Sequence, residues 1–214
     1  MVDLSKLHEA VLNGDAKTAT AVTKEALEAG ADPMVLVTQY MVPAMDEVGR
    51  RFECEEYFVP ELLLAARAMK GSLELIRPLL AERGAEPVGR VVIGTVKGDL
   101  HDIGKNLVSS MLEGAGFEVT DLGADVPPEK FVAAAREKNA DIVALSALLT
   151  VTMPMMRTTI AAIEAAGIRN NVKVMVGGAP VTEQYAREIG ADGYSDNAGG
   201  AVQLARSLIR KQAA

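Results

Sequence analysis

The chain has 214 residues, 49% of them hydrophobic, which is enough for one large domain or two small ones around a substantial core. Its 29 Asp and Glu outnumber 22 Lys and Arg, and the basic residues are scattered rather than gathered into a stripe, which argues against a nucleic-acid partner. One cysteine, Cys54, excludes an internal disulfide, and with only two histidines in the chain it argues strongly against an ordinary zinc or iron–sulfur centre, so Cys54 is read as a packing residue.

The start, Met1 to Leu7, lacks a basic segment followed by an apolar core, and the most apolar run, Ile142 to Met156, is broken by Ser146, Thr150, Thr152 and Pro154. No membrane segment is expected, and a cytoplasmic location is. Residues 1–83 carry helical periodicity and helix punctuation without a convincing strand. Asn13-Gly14-Asp15 separates two helices, Gly30-Ala31-Asp32-Pro33 ends the second and starts a third with Asp32 as its N-cap, and Phe52 to Tyr57 interrupts before a fourth. Lys24 and Glu28 fall on one helical face and read as solvated surface. Four helices with short connections predict an antiparallel bundle over 1–83.

Arg83 to Gly89 breaks the pattern with Gly and Pro, so a linker is placed at 84–89 and a second domain at 90–214. Apolar strands are expected near 90–96, 117–121, 141–146, 172–176 and, weakly, 192–194, each followed by a helical segment. That alternation predicts an α/β, flavodoxin-like (Rossmann-type) parallel sheet behind the helical bundle. Met153, Met155 and Met156 read as adaptable packing rather than as a binding surface.

Three strand ends carry residues with chemistry. Asp99-Leu100-His101-Asp102-Ile103-Gly104 opens the loop after the first strand, Ser146-Ala147-Leu148 follows the third, and Gly177-Gly178 follows the fourth. Ligands in open α/β sheets bind outside the carboxyl ends of strands, so His101 stands where chemistry is expected. A phosphate loop does not fit Gly98 to Lys105, because five residues separate Gly98 from Gly104 and Asn106 stands where Ser or Thr is needed. Nor does a Ser-His-Asp hydrolase fit, since Ser146 lacks the Gly-x-Ser-x-Gly elbow.

Asp-x-His-x-x-Gly, Ser-x-Leu and Gly-Gly, in that order and at these separations, resemble the signature of cobamide-binding domains. With Gly49-Arg50-Arg51-Phe52 and Tyr57-Phe58-Val59-Pro60-Glu61-Leu62-Leu63 in the helical half, the chain resembles the corrinoid methyl carriers and the cap plus cobalamin-binding domains of methionine synthase over nearly its whole length. The resemblance implies a cobamide, methylcobalamin or a related corrinoid working between Co(I) and methyl-Co(III), with His101 as the lower axial ligand of cobalt. It implies Asp99 on the other ring nitrogen, with Ser146 hydrogen-bonded to Asp99 in turn as a proton relay. A carboxylate there fixes the tautomer and raises ligand basicity. Asp102, Ile103, Gly104, Leu148, Thr150, Gly177 and Gly178 would complete the cofactor site, the glycines letting backbone approach the nucleotide tail.

In the cap, Phe52, Val59 and Leu62 resemble the side chains that cover the methyl face, and bundle core is the competing reading of the same residues. Glu53-Cys54-Glu55-Glu56 replaces the Gly-containing turn expected there. The implied function is to carry a methyl group on cobalt from a donor-specific methyltransferase to an acceptor methyltransferase, with tetrahydrofolate or a thiol as acceptor and a reductive activating protein as a further partner. The chain alone would be non-catalytic. The alternatives are the cobalamin subunit of an adenosylcobalamin-dependent mutase and a cobamide-dependent sensor, against which stand the cap and the absence of a basic DNA-reading module.

Overall fold

Short polar side chains start two of the N-terminal helices where the sequence places them. The Asp15 carboxylate accepts the Thr18 N–H at 3.0 Å and Asp32 accepts the Met34 N–H at 2.8 Å, satisfying donors that a helix N-terminus leaves without partners. In the computed structural model, which describes residues 2–82 and 87–212, these caps open α2 (Ala16–Glu28) and α3 (Pro33–Val35), after α1 (Ser5–Leu12). A π-helical stretch (Leu36–Met41) joins α3 to α4 (Val42–Glu53). Pro43 explains that stretch: its ring removes the N–H that would close a regular turn, and Val42 bonds back to the Val37 carbonyl instead. With α5 (Val59–Glu82) this gives four helical segments, packed around Leu7, Val11, Leu36, Met41, Met45, Leu62, Met69 and Ile76.

The connection between α4 and α5 corrects one expectation and explains another. Cys54 is exposed, so it is not a packing residue. The turn has no Gly, yet Glu55 takes the left-handed backbone (φ 60) that Gly would take. Glu56 N–H bonds to Arg51 O at 2.8 Å and Glu55 N–H to Phe52 O at 3.2 Å, the paired bonds of a Schellman helix end.

By compactness the chain divides into a helical unit, Met1–Pro87 with Glu113–Gly116, and a sheet unit, Val88–Leu112 with Phe117–Ala214. The first half of the expected linker at 84–89, residues 84–86, lies outside the described residues. The strands of the sheet unit are β1 (Arg90–Thr95), β2 (Glu118–Asp121), β3 (Ile142–Ser146), β4 (Lys173–Gly177) and β5 (Gly193–Ser195). All pair in parallel, in the order β2-β1-β3-β4-β5, with α6 (Ile103–Gly114), α7 (Pro128–Glu137), α8 (Pro154–Ala165), α9 (Glu183–Glu188) and α10 (Ala198–Gln212) between and after them. Such a sheet is covered on both faces, which is why β1, β3 and β4 read as unbroken apolar runs rather than alternating ones. Met156 is fully buried in this core, with Met153 and Met155 packed against it.

The order reverses between β1 and β3, and their loops part to opposite sides there. That switch point is where open α/β folds bind ligands. Register brings Thr95 of β1, Ser146 of β3 and Gly177 of β4 into one row at the carboxyl edge, so the three motif pieces meet.

Candidate functional site

Asp99 organises the switch point. It lies in the loop after β1, is fully buried, and its carboxylate receives five hydrogen bonds. Oδ1 accepts the N–H of His101 at 3.1 Å and meets His101 Nδ1 at 2.8 Å, while Oδ2 accepts the N–H groups of Leu148 at 2.8 Å and Leu149 at 3.1 Å and the Thr152 hydroxyl at 2.7 Å. Burial pushes this carboxyl up, but the bonds from Thr152, Leu148 and His101 together outweigh it and hold the group well below the usual carboxylate range. Asp99 is therefore a fixed anion that ties the loop after β3 to the loop after β1.

An anion at Nδ1 assigns the ring proton to that nitrogen and leaves the lone pair on Nε2. The imidazole is 51% exposed and its Nε2 makes no hydrogen bond within the described residues. This is the arrangement of a metal-ligating His oriented by a carboxylate. The Thr95 hydroxyl donates to the His101 carbonyl at 3.0 Å and fixes the backbone as well.

The hydroxyl on Asp99 is that of Thr152, not the expected Ser146. Ser146 closes β3, and its carbonyl accepts the Val96 N–H at 3.0 Å, whereas the loop beyond it turns back and carries Thr152 to the carboxylate. The hydrogen-bonded chain at the site is thus Thr152–Asp99–His101 and does not pass through Ser146. The bonding N–H groups of Leu148 and Leu149 are backbone, which side-chain spacing does not reveal. Thr152 did have a signal: it is a hydroxyl residue at the start of the helical segment after a motif strand.

The other predicted residues divide. Asp102 stands half-buried just before α6, its carbonyl accepting the Asn106 N–H at 2.8 Å. Ile103 is 81% exposed, and Leu100, Val151, Leu148 and Leu149 are also exposed, so the strand ends of β1 and β3 present apolar side chains to whatever binds there. Thr150 is exposed in the same loop. A Cβ on Gly104 would meet nothing within 4 Å, so the packing of the protein itself does not require glycine at this position. Gly178 is the opposite case: with φ +130 and a hypothetical Cβ 1.9 Å from Ala147 O, only glycine fits. A Cβ on Gly177 would lie 3.0 Å from Ser195 O. In the helical unit, Leu62 is fully buried in the bundle, Phe52 is half-buried and Val59 is exposed at the start of α5.

These features define a class: a doubly wound α/β domain whose switch point holds a carboxylate-oriented imidazole in apolar surroundings, attached to a helical unit. Residues 89–203 match the B12 binding domain, and residues 4–77 match a second B12 binding domain family. The chain is 44% identical to trimethylamine corrinoid protein 1 of Methanosarcina acetivorans over 208 residues, 96% of each chain. It is 45% identical to dimethylamine corrinoid protein 1 of the same organism over 194 residues, covering 90% of this chain and 91% of the relative. Among solved structures it resembles the methanol:cobalamin methyltransferase complex MtaBC from Methanosarcina barkeri, with a TM-score of 0.86 at 28% identity over 97% of this chain and 80% of that one. The chain belongs to the corrinoid protein family of methyltransferase systems.

The residues present fit a cobamide. His101 offers a free Nε2 on an oriented ring, Gly104 leaves open space where a side chain would stand, and the apolar side chains around them suit a large macrocycle. No group of three or more His, Cys, Asp or Glu able to hold a bare metal ion occurs among the described residues.

Proposed function

We propose that the protein carries a methyl group between a donor-specific methyltransferase and an acceptor methyltransferase, with His101 as the lower ligand of the cobamide. The observation that carries this reading is the 2.8 Å contact of His101 Nδ1 with buried Asp99, at the switch point of the sheet. When bound, the cobamide supplies a cobalt that takes up and gives up a methyl group. The protein's own work is to present Nε2, to hold the proton on Nδ1 through Asp99, and to hold Asp99 through Thr152 and the Leu148 and Leu149 amides. The exposed apolar side chains at these strand ends would give the macrocycle an apolar surface beside His101.

The names of the relatives support a methylated amine as the donor and partner enzymes as the holders of donor and acceptor. Tetrahydrofolate or a thiol is the acceptor class, and a reductive activating protein is the third partner. Among the described residues no helix is long and apolar enough to cross a membrane, and the cytoplasm is the location that goes with this proposed role.

The test is the ultraviolet-visible spectrum of the protein reconstituted with a cobamide, followed through reduction and methylation by methyl iodide. His101→Ala is expected to lose the lower-ligand signature, while His8→Ala, on α1, leaves it intact. Identical spectra for the two variants would overturn the ligand assignment. Loss of cobamide by the unaltered protein would overturn the carrier reading itself.

A further inference from the structure

The segment leaving β2 takes no part in the site described above, yet it grips the His101 loop at both ends. At the entry, Asp125 Oδ1 accepts the Gly98 N–H at 2.7 Å, and the Asp125 N–H donates to the Asp99 carbonyl at 3.0 Å. This is a reciprocal pair of bonds across the turn that begins the loop. Asp125 makes them from left-handed backbone (φ 54), a conformation that a side chain other than Gly, Asn or Asp rarely takes. At the exit, Asp121 Oδ2 pairs with the ammonium of Lys105, which follows Gly104 and is almost fully buried, and Asp121 Oδ1 accepts the Gly123 N–H at 2.8 Å. The Lys105 ammonium also donates to Asn106 Oδ1 at 2.6 Å. Between these ends Gly123 O accepts the Thr95 N–H at 3.0 Å, and Thr95 in turn holds the His101 carbonyl.

A loop clamped only through the Asp99 carboxylate could still rotate about the Asp99 backbone. The bonds from Asp125 limit that freedom: they hold the peptide before Gly98 through its N–H and the peptide after Asp99 through its carbonyl, while the Asp99 N–H between them is held by Val96 O at 3.1 Å. We propose that the segment Asp121–Asp125 is a brace for the axial imidazole and that Asp125 is its positioning residue, an inference that rests on the reading of His101 as the cobalt ligand. β2 is the edge strand next to β1, so the brace supports the site from the side away from β3. Asp125 thus acts on the ring only through Gly98 and Asp99.

Asp125→Gly separates strain from bonding, since glycine takes φ 54 freely but offers no carboxylate. Asp125→Asn keeps an acceptor oxygen and tolerates the same backbone. Asp121 is left intact, because its removal strips the buried Lys105 of its carboxylate and endangers the fold. Three readings are taken on each variant: the melting temperature, the Gly98 amide exchange and His101 ring tautomer by NMR without cobamide, and the spectrum after reconstitution. Asp125→Gly is expected to melt like the unaltered protein while Gly98 exchanges about tenfold faster, the Nδ1–H tautomer loses population and the His-coordinated fraction falls. Asp125→Asn is expected to match the unaltered protein in all three. Unchanged exchange, tautomer and spectrum in Asp125→Gly would overturn the brace. Should Asp125→Gly melt lower, Asp125→Asn decides, and a loss of His coordination there overturns the proposal because the acceptor is still in place. If His101→Ala leaves the spectrum unchanged, the ligand reading fails, and the cobamide-free tautomer and exchange then decide the brace by themselves.

Discussion

In the helical unit, Glu47 is held by Arg50 and Arg51 of its own helix, three and four residues on, each at 2.8 Å. At the carboxyl edge of the sheet, Asp99 is held by Leu148, Leu149 and Thr152, which lie 49, 50 and 53 residues away. Both carboxyls sit below their ordinary range, Glu47 at about 2 through its bonds to Arg50 and then Arg51, yet the two shifts mean different things. The Glu47 cluster can form in an isolated helix, stays in contact with water and is screened by salt. Asp99 is surrounded only once both loops are in place, so its bonds report the whole domain, and losing one leaves a buried anion short of a partner. Asp99 gathers long-range bonds at the switch point of the sheet, whereas the bonds of Glu47 shape a single stretch of helix.

The largest test of that contrast is at the glycines. Gly178→Ala places a methyl group 1.9 Å from Ala147 O on backbone with φ +130, so both the clash with backbone and the conformation oppose a side chain just after β4. We expect a loss of about 3 kcal/mol or more, read as a lower denaturant midpoint, or outright failure to fold. Gly104→Ala enters open space and should leave the midpoint unchanged or slightly raised, while cobamide retention falls. A stable Gly178→Ala protein would show that the β3 and β4 loops adjust more freely than the long-range bonding implies.

Thr152→Val comes next. It keeps the shape of the side chain and removes one of the five donors on Asp99, so about 1–3 kcal/mol should be lost at neutral pH, with Thr152→Ser restoring most of it. Equal stability of the Val and Ser variants would assign the hydroxyl no role in holding the anion. In the reconstituted protein the same Val substitution should weaken His coordination, whereas Ser146→Ala, at a hydroxyl that does not bond to Asp99, should not.

The same contrast explains what the sequence makes legible. Parallel buried strands leave unbroken apolar runs, so β1 is legible at 90–96 against the observed Arg90–Thr95, and the helix starts at Asp15 and Asp32 follow from local capping chemistry. His101 and Asp99 are two residues apart, and their pairing is legible because a short side chain reaches a near neighbour. The third member of that hydrogen-bonded chain is not. Ser146 is the hydroxyl within the motif, but the path of the loop after β3 decides that Thr152, six residues later, meets Asp99. Leu148 and Leu149 contribute amides that every residue has, and Asp125 supplies a left-handed turn that no glycine announces. Cys54 misleads for a related reason: free cysteine is usually buried, but here the residue falls on the end of α4 where the Schellman turn leaves it in solvent.

That turn supplies a smaller prediction, with the opposite sign. Glu55 occupies left-handed backbone (φ 60) where Gly carries no penalty, so Glu55→Gly should raise stability by about 0.5–1 kcal/mol, offset in part by the greater freedom of Gly in the unfolded chain. Thermal melting checks it. A gain here beside a loss at Gly178→Ala would place the tolerance of the molecule in its local turns and its intolerance at the sheet edge.

The smallest effect is expected at Glu47 itself. Its carboxyl is lowered to about 2, while an unfolded Glu titrates near 4.3, so its contribution to stability is complete above that unfolded value and disappears as pH falls through about 2. Glu47→Gln should therefore differ slightly from the unaltered protein at neutral pH, and the two should converge in acid. Salt should shrink the neutral-pH difference, because both arginines reach Glu47 at a surface open to water. A difference that persists below pH 2, or that salt leaves untouched, would mean that Glu47 holds its turn through packing rather than charge. The helical unit would then depend on shape at its surface as the sheet edge depends on it inside, and the division between local and long-range bonding would no longer separate the two regions.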